Sequence, residues 1–371
     1  MKIKSIKNIK NLKNKTILVR CDFDVPIKNN KIIDDARLLK LIPTIKFLLN
    51  KKIKQIILIG HLGRPGGKVV KELSLEVVKN KLEKIIKKQI KFISHGIPSP
   101  ALREERGRDD SKIIMLENLR FNPAEEENNK KFAKKLASFA DIYVNECFAT
   151  SHRAHASFSA IQDLLPSYAG LNLENEIKNL NLNKIKKPLV LIIGGAKIET
   201  KLPVIHNFLN KADYILIGGA VANVFLKARG VDVGKSLVDE KYLLEAKKLL
   251  LKNKLKIILP IDYKISKNKI LDIGPKTIIL FSGIIKSAKT IIWNGPMGFF
   301  ENKKFATGTD AIARAVLQNK KSKIIIGGGE TITGIRNQKS GIRKNIFIST
   351  GGGAMLEFLA GKKLPGLKKI I

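Results

Sequence analysis

Four times in the second half of this 371-residue chain an apolar run ends in glycine and continues into a stretch compatible with a helix: "LVLIIGGAKIETK", "YILIGGAVANVF", "KIIIGGGETITGI" and "IFISTGGGAMLEF". Runs of nearly unbroken Ile, Val and Leu are the strands of a parallel sheet covered on both faces. In such sheets ligands bind beyond the carboxyl ends of the strands, where glycine lets phosphate oxygens approach backbone N–H groups at helix N-termini. One joint alone is simply a tight turn. Four in one half of a chain point to a phosphate-binding edge.

Strands are expected in this half near 188–193, 213–217, 256–259, 277–281, 289–293, 323–326 and 345–349. The first half alternates in the same way, with strands at 16–20, 54–59, 112–116 and 140–145. A helix is expected over 72–90, where Val78, Leu82, Ile85 and Ile86 keep helical spacing. The fold class is therefore α/β, with a mainly parallel sheet in each half. Between the halves "YAGLNLENEIKNLNLNKIKK" has a helical pattern and reads as the connector. The expected domains are 1–170 and 187–357, joined by 171–186.

Composition bears on partners and compartment. Seventy Lys plus Arg against 32 Asp plus Glu leave a formal charge of +38, which raises the question of nucleic acid. The lysines, however, are spread over the whole chain without a single basic tract, and only 6% of residues are aromatic. The charge reads as a compositional bias that draws anionic ligands and makes binding salt-sensitive, rather than as a specific nucleic-acid surface. Cys21 and Cys147 lack the spacing of a disulfide framework or zinc site. The lysine-threaded N-terminus does not read as a secretory signal, and no apolar run approaches the roughly 18 residues of a membrane span. A cytoplasmic protein without a membrane partner is expected.

The loops of the first half carry "RCDFDVP", "DDARL", "GHLGRP", "LENLRF" and "TSHRAHAS", so that arginine and histidine replace glycine as the recurring feature. Arg20, Arg37, Arg64, Arg120 and Arg153 come from five separate loops, with His61 beside Arg64 and His152 and His155 beside Arg153. In a chain this rich in lysine the choice of Arg is informative, because a planar guanidinium grips phosphate or carboxylate bidentately. The cluster suits a small, highly anionic molecule. His152 and His155 have the spacing of metal ligands, but lacking a third they read as packed or anion-facing. Asp22 and Asp24, at alternate positions after the first strand, point the same way. They either accept hydrogen bonds from a substrate hydroxyl or cap a turn and balance Arg20 or Arg37.

In the second half Lys197 and Lys201 are expected at i and i+4 of one helix behind Gly194 and Gly195, an arrangement that suits a polyphosphate. Glu330 and Thr331, after Gly327 to Gly329, are candidates to hold magnesium on the same phosphates. Glu301 in "WNGPMGFFE" is either a ribose-hydroxyl acceptor or a plain loop acid. "GVDVGKS" is not a P-loop, since that motif requires glycine where Arg229 stands, and no joint completes the dinucleotide GxGxxG fingerprint.

Taken in order, "RCDFDVP", "HLGRP", "LENLRFNPAEE", "SHRAHASF", "GGAKIETK", "WNGPMGFFE", "GGGET" and "STGGGAMLEFLAGKKLPG" resemble the phosphoglycerate kinase family, from about Thr16 to Gly366. The resemblance implies two Rossmann-like three-layer domains facing a central cleft, with the tail 358–371 returning to the first domain. It implies binding of 3-phosphoglycerate or 1,3-bisphosphoglycerate by the first domain and of magnesium ADP or ATP by the second, in a monomer, with in-line transfer after hinge closure. By motif, Asp22, Phe23, Asp24, His61, Leu62, Gly63, Arg64, Arg120 and Arg153 would surround the triose, and Arg37 would face the migrating phosphoryl group. Gly195, Ala196, Lys197, Lys201, Gly218, Asn294, Glu301, Gly328, Gly329, Glu330 and Thr331 would hold the nucleotide, with Glu330 on Mg2+. Arg37, Lys197, Gly351 and Gly352 would serve at the transfer point.

Some positions depart from the family pattern. Asp24 stands where Asn is usual, Glu330 where Asp is, and Phe347 where His is common. Glu146, Cys147 and Ala149 alter the loop before Ser151, and "SHGIPSPALREERGRDDSK" (94–112) matches poorly. Asp24 leaves open an acyl-phosphate-forming kinase for another carboxylate; a non-enzymatic nucleic-acid binder is the alternative of a different class.

Overall fold

The computed structural model describes residues 2–94, 112–253, 255–336 and 343–371. The atypical 94–112 segment lies almost wholly outside them. The chain divides into two compact units, one formed by Met1–Lys178 with Lys363–Ile371 and the other by Asn179–Lys362.

In the first unit, β1 (Thr16–Arg20), β4 (Gln55–Ile59), β5 (Lys91–Ile93), β6 (Ile113–Leu116), β7 (Ile142–Asn145) and β8 (Ser167–Ala169) form a parallel sheet in the order β5-β6-β4-β1-β7-β8. Alternate residues serve opposite faces. Ile17, Val19, Ile56, Leu58, Ile113 and Met115 pack with Leu38, Leu41 and Ile45 of the helix Ala36–Leu49 and with Val78 and Leu82 of the helix Glu76–Ile86. Leu18, Ile57, Ile114 and Tyr143 pack with Phe132 and Leu136 of the helix Lys130–Ala137. A sheet covered on both faces needs strands that are apolar throughout, which is why these segments lack a polar alternation. The tail is tied to this unit: Asn145 Nδ2 donates to the Gly366 carbonyl (2.9 Å), and the Lys4 N–H to that of Ile370 (2.8 Å). A short hairpin, β2 (Ile27–Lys28) with β3 (Lys31–Ile32), follows the loop after β1.

The second sheet runs β11-β10-β9-β14-β15-β16, again parallel, from β9 (Leu189–Ile193), β10 (Tyr214–Ile217), β11 (Ile257–Ile258), β14 (Thr290–Asn294), β15 (Lys323–Gly327) and β16 (Ile346–Ser349). Val190, Ile192, Ile291, Trp293 and Ile324 pack against Phe281, Ile285, Ile312 and Val316. Leu191, Ile215, Ile292 and Ile325 on the other face are buried as well.

The strand expected at 277–281 is instead part of the helix Pro275–Ser287. Its β-branched "TIIL" invites a strand reading, but Thr277, Phe281 and Ile285 are the buried positions, a spacing of four that only a helix gives. Pro275 opens the helix at its first turn, where its missing N–H is harmless. Asp262 caps it from outside, accepting from the N–H groups of Lys276 (2.9 Å) and Thr277 (2.7 Å). The hairpin β12 (Tyr263–Ser266) with β13 (Lys269–Ile273), turning through Lys267 and Asn268 at positive φ, was not anticipated either. Among the described residues no helix is long and apolar enough to cross a membrane.

Each sheet has one place where the chain reverses its direction of travel, between β1 and β7 in the first and between β9 and β14 in the second. In open parallel sheets that is where ligands bind, at the carboxyl ends. The arginine loops follow β1, β4, β6 and β7; the glycine joints follow β9, β10, β15 and β16.

Candidate functional site

Each unit carries its own set of candidate residues. In the first, Arg20 shares Leu18's face of the sheet and is fully buried. Its Nε donates to Ser157 Oγ (2.8 Å), one terminal nitrogen donates to the Cys21 carbonyl (2.6 Å), and the other lies 2.9 Å from His61 Nδ1. The guanidinium also covers the Phe158 ring at 4.4 Å. Glu125, fully buried 4.0 Å away, accepts from the Ser157 hydroxyl (2.5 Å) and N–H (3.0 Å). Arg20 is therefore removed from the anion-binding cluster: its donors are consumed by a polar network inside the core.

His61 belongs to the same network. Burial, and next the charge of Arg20, hold its pKa well below the usual imidazole value, so it is neutral at pH 7. Phe23 is fully buried, its ring filling the space beside Gly60, and Leu62 is buried. Phe23, His61 and Leu62 thus build the wall with their side chains and have only main chain to present to a ligand.

The remaining groups sit nearer solvent. Arg37, in the first turn of its helix, donates to Asp22 Oδ1 (2.9 Å) and Oδ2 (3.2 Å). Burial raises the Asp22 pKa against the opposing pull of Arg37. Asp24 accepts from the Gly63 N–H (2.9 Å), so each aspartate has a structural partner. Arg120 donates to the Gly63 carbonyl (2.8 Å) and pairs with Glu126 at 3.1 Å. Arg64 and Arg153 are exposed, with their guanidinium groups unspent on the core. Proximity is marked by the histidines: His61 feels the charges of Arg120 and Arg37, and His155 those of Arg120 and Arg153. Burial first, then these charges, lower the His155 pKa to about 4, so it faces the cluster as a neutral ring. Asn118 escaped the sequence reading. Its Nδ2 donates to the carbonyls of Leu62 (2.8 Å) and Leu73 (2.9 Å) and its oxygen accepts from the Arg120 N–H (3.1 Å), so it sets the loop that carries Arg120.

In the second unit the loops after β9, β10 and β14 pack main chain on main chain. The Gly195 N–H donates to the Pro296 carbonyl (2.8 Å), that of Gly194 to Asn294 (2.9 Å), that of Gly218 to Ile193 (2.8 Å) and that of Gly219 to Met297 (2.9 Å). These four donors are spent within the protein, so the glycines of the first two joints do not offer their own N–H groups to a phosphate. Their glycines serve close approach instead. At Gly219 φ is +60°, and a Cβ would stand 2.6 Å from the Gly195 nitrogen and 2.8 Å from the Pro296 oxygen.

The packed loops border a cavity of about 440 Å³ lined by Gly195, Ala196, Leu237, Leu271, Met297 and Glu301 among others. That volume and its largely apolar lining suit a nucleoside. The hairpin β12–β13 supplies Leu271 and Asp272. Burial raises the Asp272 pKa to about 6, although Asp272 accepts from the N–H groups of Gly308 and Ile273. No local motif marks Leu237 or Leu271, because their role arises only when distant segments meet; Met297 lies within "WNGPMGFFE" without being singled out there.

Glu330 lines the cavity, and Lys201 lies close enough to feel its charge. Lys197 does not share Lys201's helix: the helix starts at Ile198, and Lys197 is the extended, exposed residue before it. Lys201, 8% exposed, donates from Nζ to Asn294 Oδ1, and Asn294 Nδ2 donates to the Gly327 carbonyl (2.9 Å). Burial lowers the Lys201 pKa to about 8 despite the opposing charge of Glu330. Thr331 is fully buried and its Oγ1 accepts from the Gly295 N–H (2.7 Å), so the hydroxyl braces the loop after β14. Gly328 (φ +96°) and Gly329 turn the chain into the helix Gly329–Arg336, whose first-turn N–H groups have no partner within that helix. The Gly351 N–H donates to Ser349 Oγ (3.0 Å), while a Cβ on Gly352 would meet open space.

Among the described residues no three acidic, His or Cys side chains gather to hold a metal ion. Glu330 is a single exposed carboxylate beside a lysine, too few protein donors to cage a metal ion by themselves.

Residues 6–362 match the phosphoglycerate kinase family. This chain belongs to that family. It is 42% identical to phosphoglycerate kinase of Wolbachia pipientis subsp. Culex pipiens, with 96% of each chain covered. It is 44% identical to that of Dictyoglomus turgidum, covering 95% of this chain and 94% of the relative. The solved phosphoglycerate kinase of Coxiella burnetii is 35% identical, with a TM-score of 0.86 over 100% of this chain and 99% of that one. These matches favour neither the nucleic-acid binder nor a kinase for another carboxylate.

Proposed function

We propose that this chain reversibly transfers a phosphoryl group from 1,3-bisphosphoglycerate to ADP, giving 3-phosphoglycerate and ATP. The observation that carries this reading is a division of chemistry: solvent-facing guanidinium groups sit in the loops that follow the strands of one sheet, and an apolar, main-chain-lined cavity that reaches Glu330, beside the charge of Lys201, follows the strands of the other. Residues 1–170 with the tail 358–371 form the triose domain, and 187–357 the nucleotide domain, joined by the helical segment 171–186. In the first, Arg64, Arg120 and Arg153 take the phosphate that stays on the triose, and Asp22, Asp24 and the main chain of Phe23 and of His61 to Gly63 take the rest. Arg37 faces the phosphoryl group in flight. In the second, Gly195, Ala196, Gly218 and Glu301 hold the nucleoside. Lys197, Lys201, Asn294 and residues 328–331 hold its phosphates, with Gly351 and Gly352 at the transfer point.

Phosphoryl transfer needs in-line positioning and charge stabilisation more than proton transfer. The attacking oxygen is a phosphate oxygen of ADP in one direction and, in the other, a carboxylate ionised at neutral pH, so no strong general base is required. Magnesium carried on the nucleotide neutralises phosphate charge when bound, with Glu330 as its protein ligand. Because the acyl phosphate hydrolyses readily, both substrates have to be brought together away from water before transfer. The reading includes a cytoplasmic monomer. A coupled assay of 3-phosphoglycerate phosphorylation tests it: turnover in the parent chain with losses of at least roughly 100-fold in Arg37→Ala and Lys201→Ala is expected. Undiminished turnover in both variants refutes the assignments.

A further inference from the structure

Arg37, Lys40 and Thr44 occupy i, i+3 and i+7 of the helix Ala36–Leu49, one face of it. Each reaches a carboxylate. Arg37 holds Asp22; Lys40 Nζ lies 3.6 Å from Oε1 of Glu176, whose side chain is fully buried; and Thr44 Oγ1 donates to Glu146. Glu176 lies in the helix Leu171–Leu180, which leads out of the first unit, and Glu146 accepts from the Asn172 (2.9 Å) and Leu173 (3.2 Å) N–H groups at the start of that helix.

Arg37 is engaged where it stands. To reach a migrating phosphoryl group it has to loosen its hold on Asp22, and a buried carboxylate stripped of its partner is strongly unfavourable. Groups that interact electrostatically with Asp22 include Arg20, Cys21, Asp24, Arg37, Lys40 and Cys147, of which Arg20, Arg37 and Lys40 are cations. Arg20 is locked into the core by Ser157, the Cys21 carbonyl and His61, and Asp24 has the wrong sign. Lys40 remains. Its side chain is 30% exposed, its Nζ stands 3.6 Å from the Glu176 carboxylate, and its flexible stem can redirect a compact ammonium. Burial lowers its pKa, with Glu176 and Asp22 both opposing that shift.

We propose that Lys40 is a positioning residue for phosphoryl transfer: its ammonium passes from Glu176 towards Asp22 as Arg37 turns to the phosphoryl group, so that Arg37 is released without orphaning a buried charge. The same movement loosens the tie between the Arg37 helix and the helix leading to the second unit. This rests on the assignment of Arg37 made above, and the test separates the two.

Lys40→Met, Lys40→Arg, Arg37→Ala and the double variant Lys40→Met/Arg37→Ala are compared by calorimetric binding of 3-phosphoglycerate alone and of the complex of 3-phosphoglycerate, magnesium ADP and aluminium fluoride, the last standing in for the phosphoryl group in flight. Turnover is measured beside them. In Lys40→Met the dissociation constant of 3-phosphoglycerate stays within about twofold, while kcat and the affinity of the aluminium fluoride complex fall on the order of tenfold, the signature of an interaction made only in the transition state. Lys40→Arg recovers most of the loss. On the Arg37→Ala background, Lys40→Met lowers the affinity of the aluminium fluoride complex no further, because there is no longer an arginine to release. Should Lys40→Met unfold the protein by stranding Glu176, Lys40→Met/Glu176→Gln replaces it. Parent-like behaviour of the Lys40 variants, or an equal loss on both backgrounds, overturns the proposal. Undiminished turnover in Arg37→Ala overturns the role given to Arg37, whatever Lys40 does.

Discussion

Lys201 should make nucleotide binding depend on pH above neutrality. Its pKa in the free protein is about 8, because burial disfavours the ammonium more than Glu330 supports it. Against a polyphosphate the ammonium regains a strong anionic partner, and its pKa returns to the usual lysine range of about 10.4 or above. Binding therefore takes up a proton wherever the free protein has lost it. At pH 7 roughly nine in ten Lys201 side chains carry the proton and at pH 9 roughly one in ten, so the affinity for magnesium ADP should fall about tenfold, or ~1.4 kcal/mol, between them. Titration calorimetry at fixed ionic strength, in two buffers of different ionisation enthalpy, reads this directly as proton uptake of about one half at pH 8 and about 0.9 at pH 9. Fixed salt matters because a chain of formal charge +38 attracts any anion. Lys201→Arg, whose guanidinium stays charged throughout, should flatten the profile. Affinity independent of pH in the parent chain, or an equal slope in Lys201→Arg, would refute the argument that a buried, proton-poor lysine meets the phosphates.

Gly219→Ala places a Cβ 2.6 Å from the Gly195 nitrogen in a backbone at φ +60°. Chemical denaturation should show a loss on the order of 3 kcal/mol, with magnesium ADP binding weakened in whatever remains folded. Glu146 is the buried carboxyl that burial pushes up to about 7 from an ordinary 4.5, against its hydrogen bonds from Thr44, Asn172 and Leu173. The folded state keeps a proton there that the unfolded chain gives up, so this contribution is full below pH 4.5 and lost as pH rises to about 7, by up to ~3 kcal/mol. Urea unfolding of Glu146→Gln at pH 5 and pH 7.5 should lack most of that decline, and a decline equal to the parent's would count against it. Arg64→Ala and Arg153→Ala, on exposed side chains, should each weaken 3-phosphoglycerate binding by about 1–3 kcal/mol while leaving the melting temperature within a degree or two. A large fall in melting temperature would instead mark these arginines as structural.

The fold was largely legible because local pattern and tertiary environment demand the same residues. A strand buried on both faces has to be apolar along its length, and "TILVR", "QIILI", "LVLII" and "KIIIG" say so without a partner in view. The loops that follow them were legible for a related reason: glycine where main chain packs against main chain, and arginine where anions are to be gripped. The sequence alone therefore determined two parallel sheets and the edge of each at which chemistry happens. Packing decided the rest. "TIIL" at 277–280 became a helix because Gly274, Pro275 and the distant Asp262 start one, and because the surface it covers accepts every fourth residue. Arg20, the last residue of β1, and Arg153, in the loop after β7, are the same residue type near strand ends, yet one lies within the core and the other in solvent. The glycine N–H groups at 194, 195, 218 and 219 were expected to be free and are instead bonded to carbonyls on or beyond neighbouring strands. Local sequence sets what a segment can be, since backbone geometry and apolar content are properties of neighbours along the chain. Which polar groups are left over for a ligand depends on hydrogen-bond partners that arrive from distant segments, and only the tertiary structure brings those partners within reach.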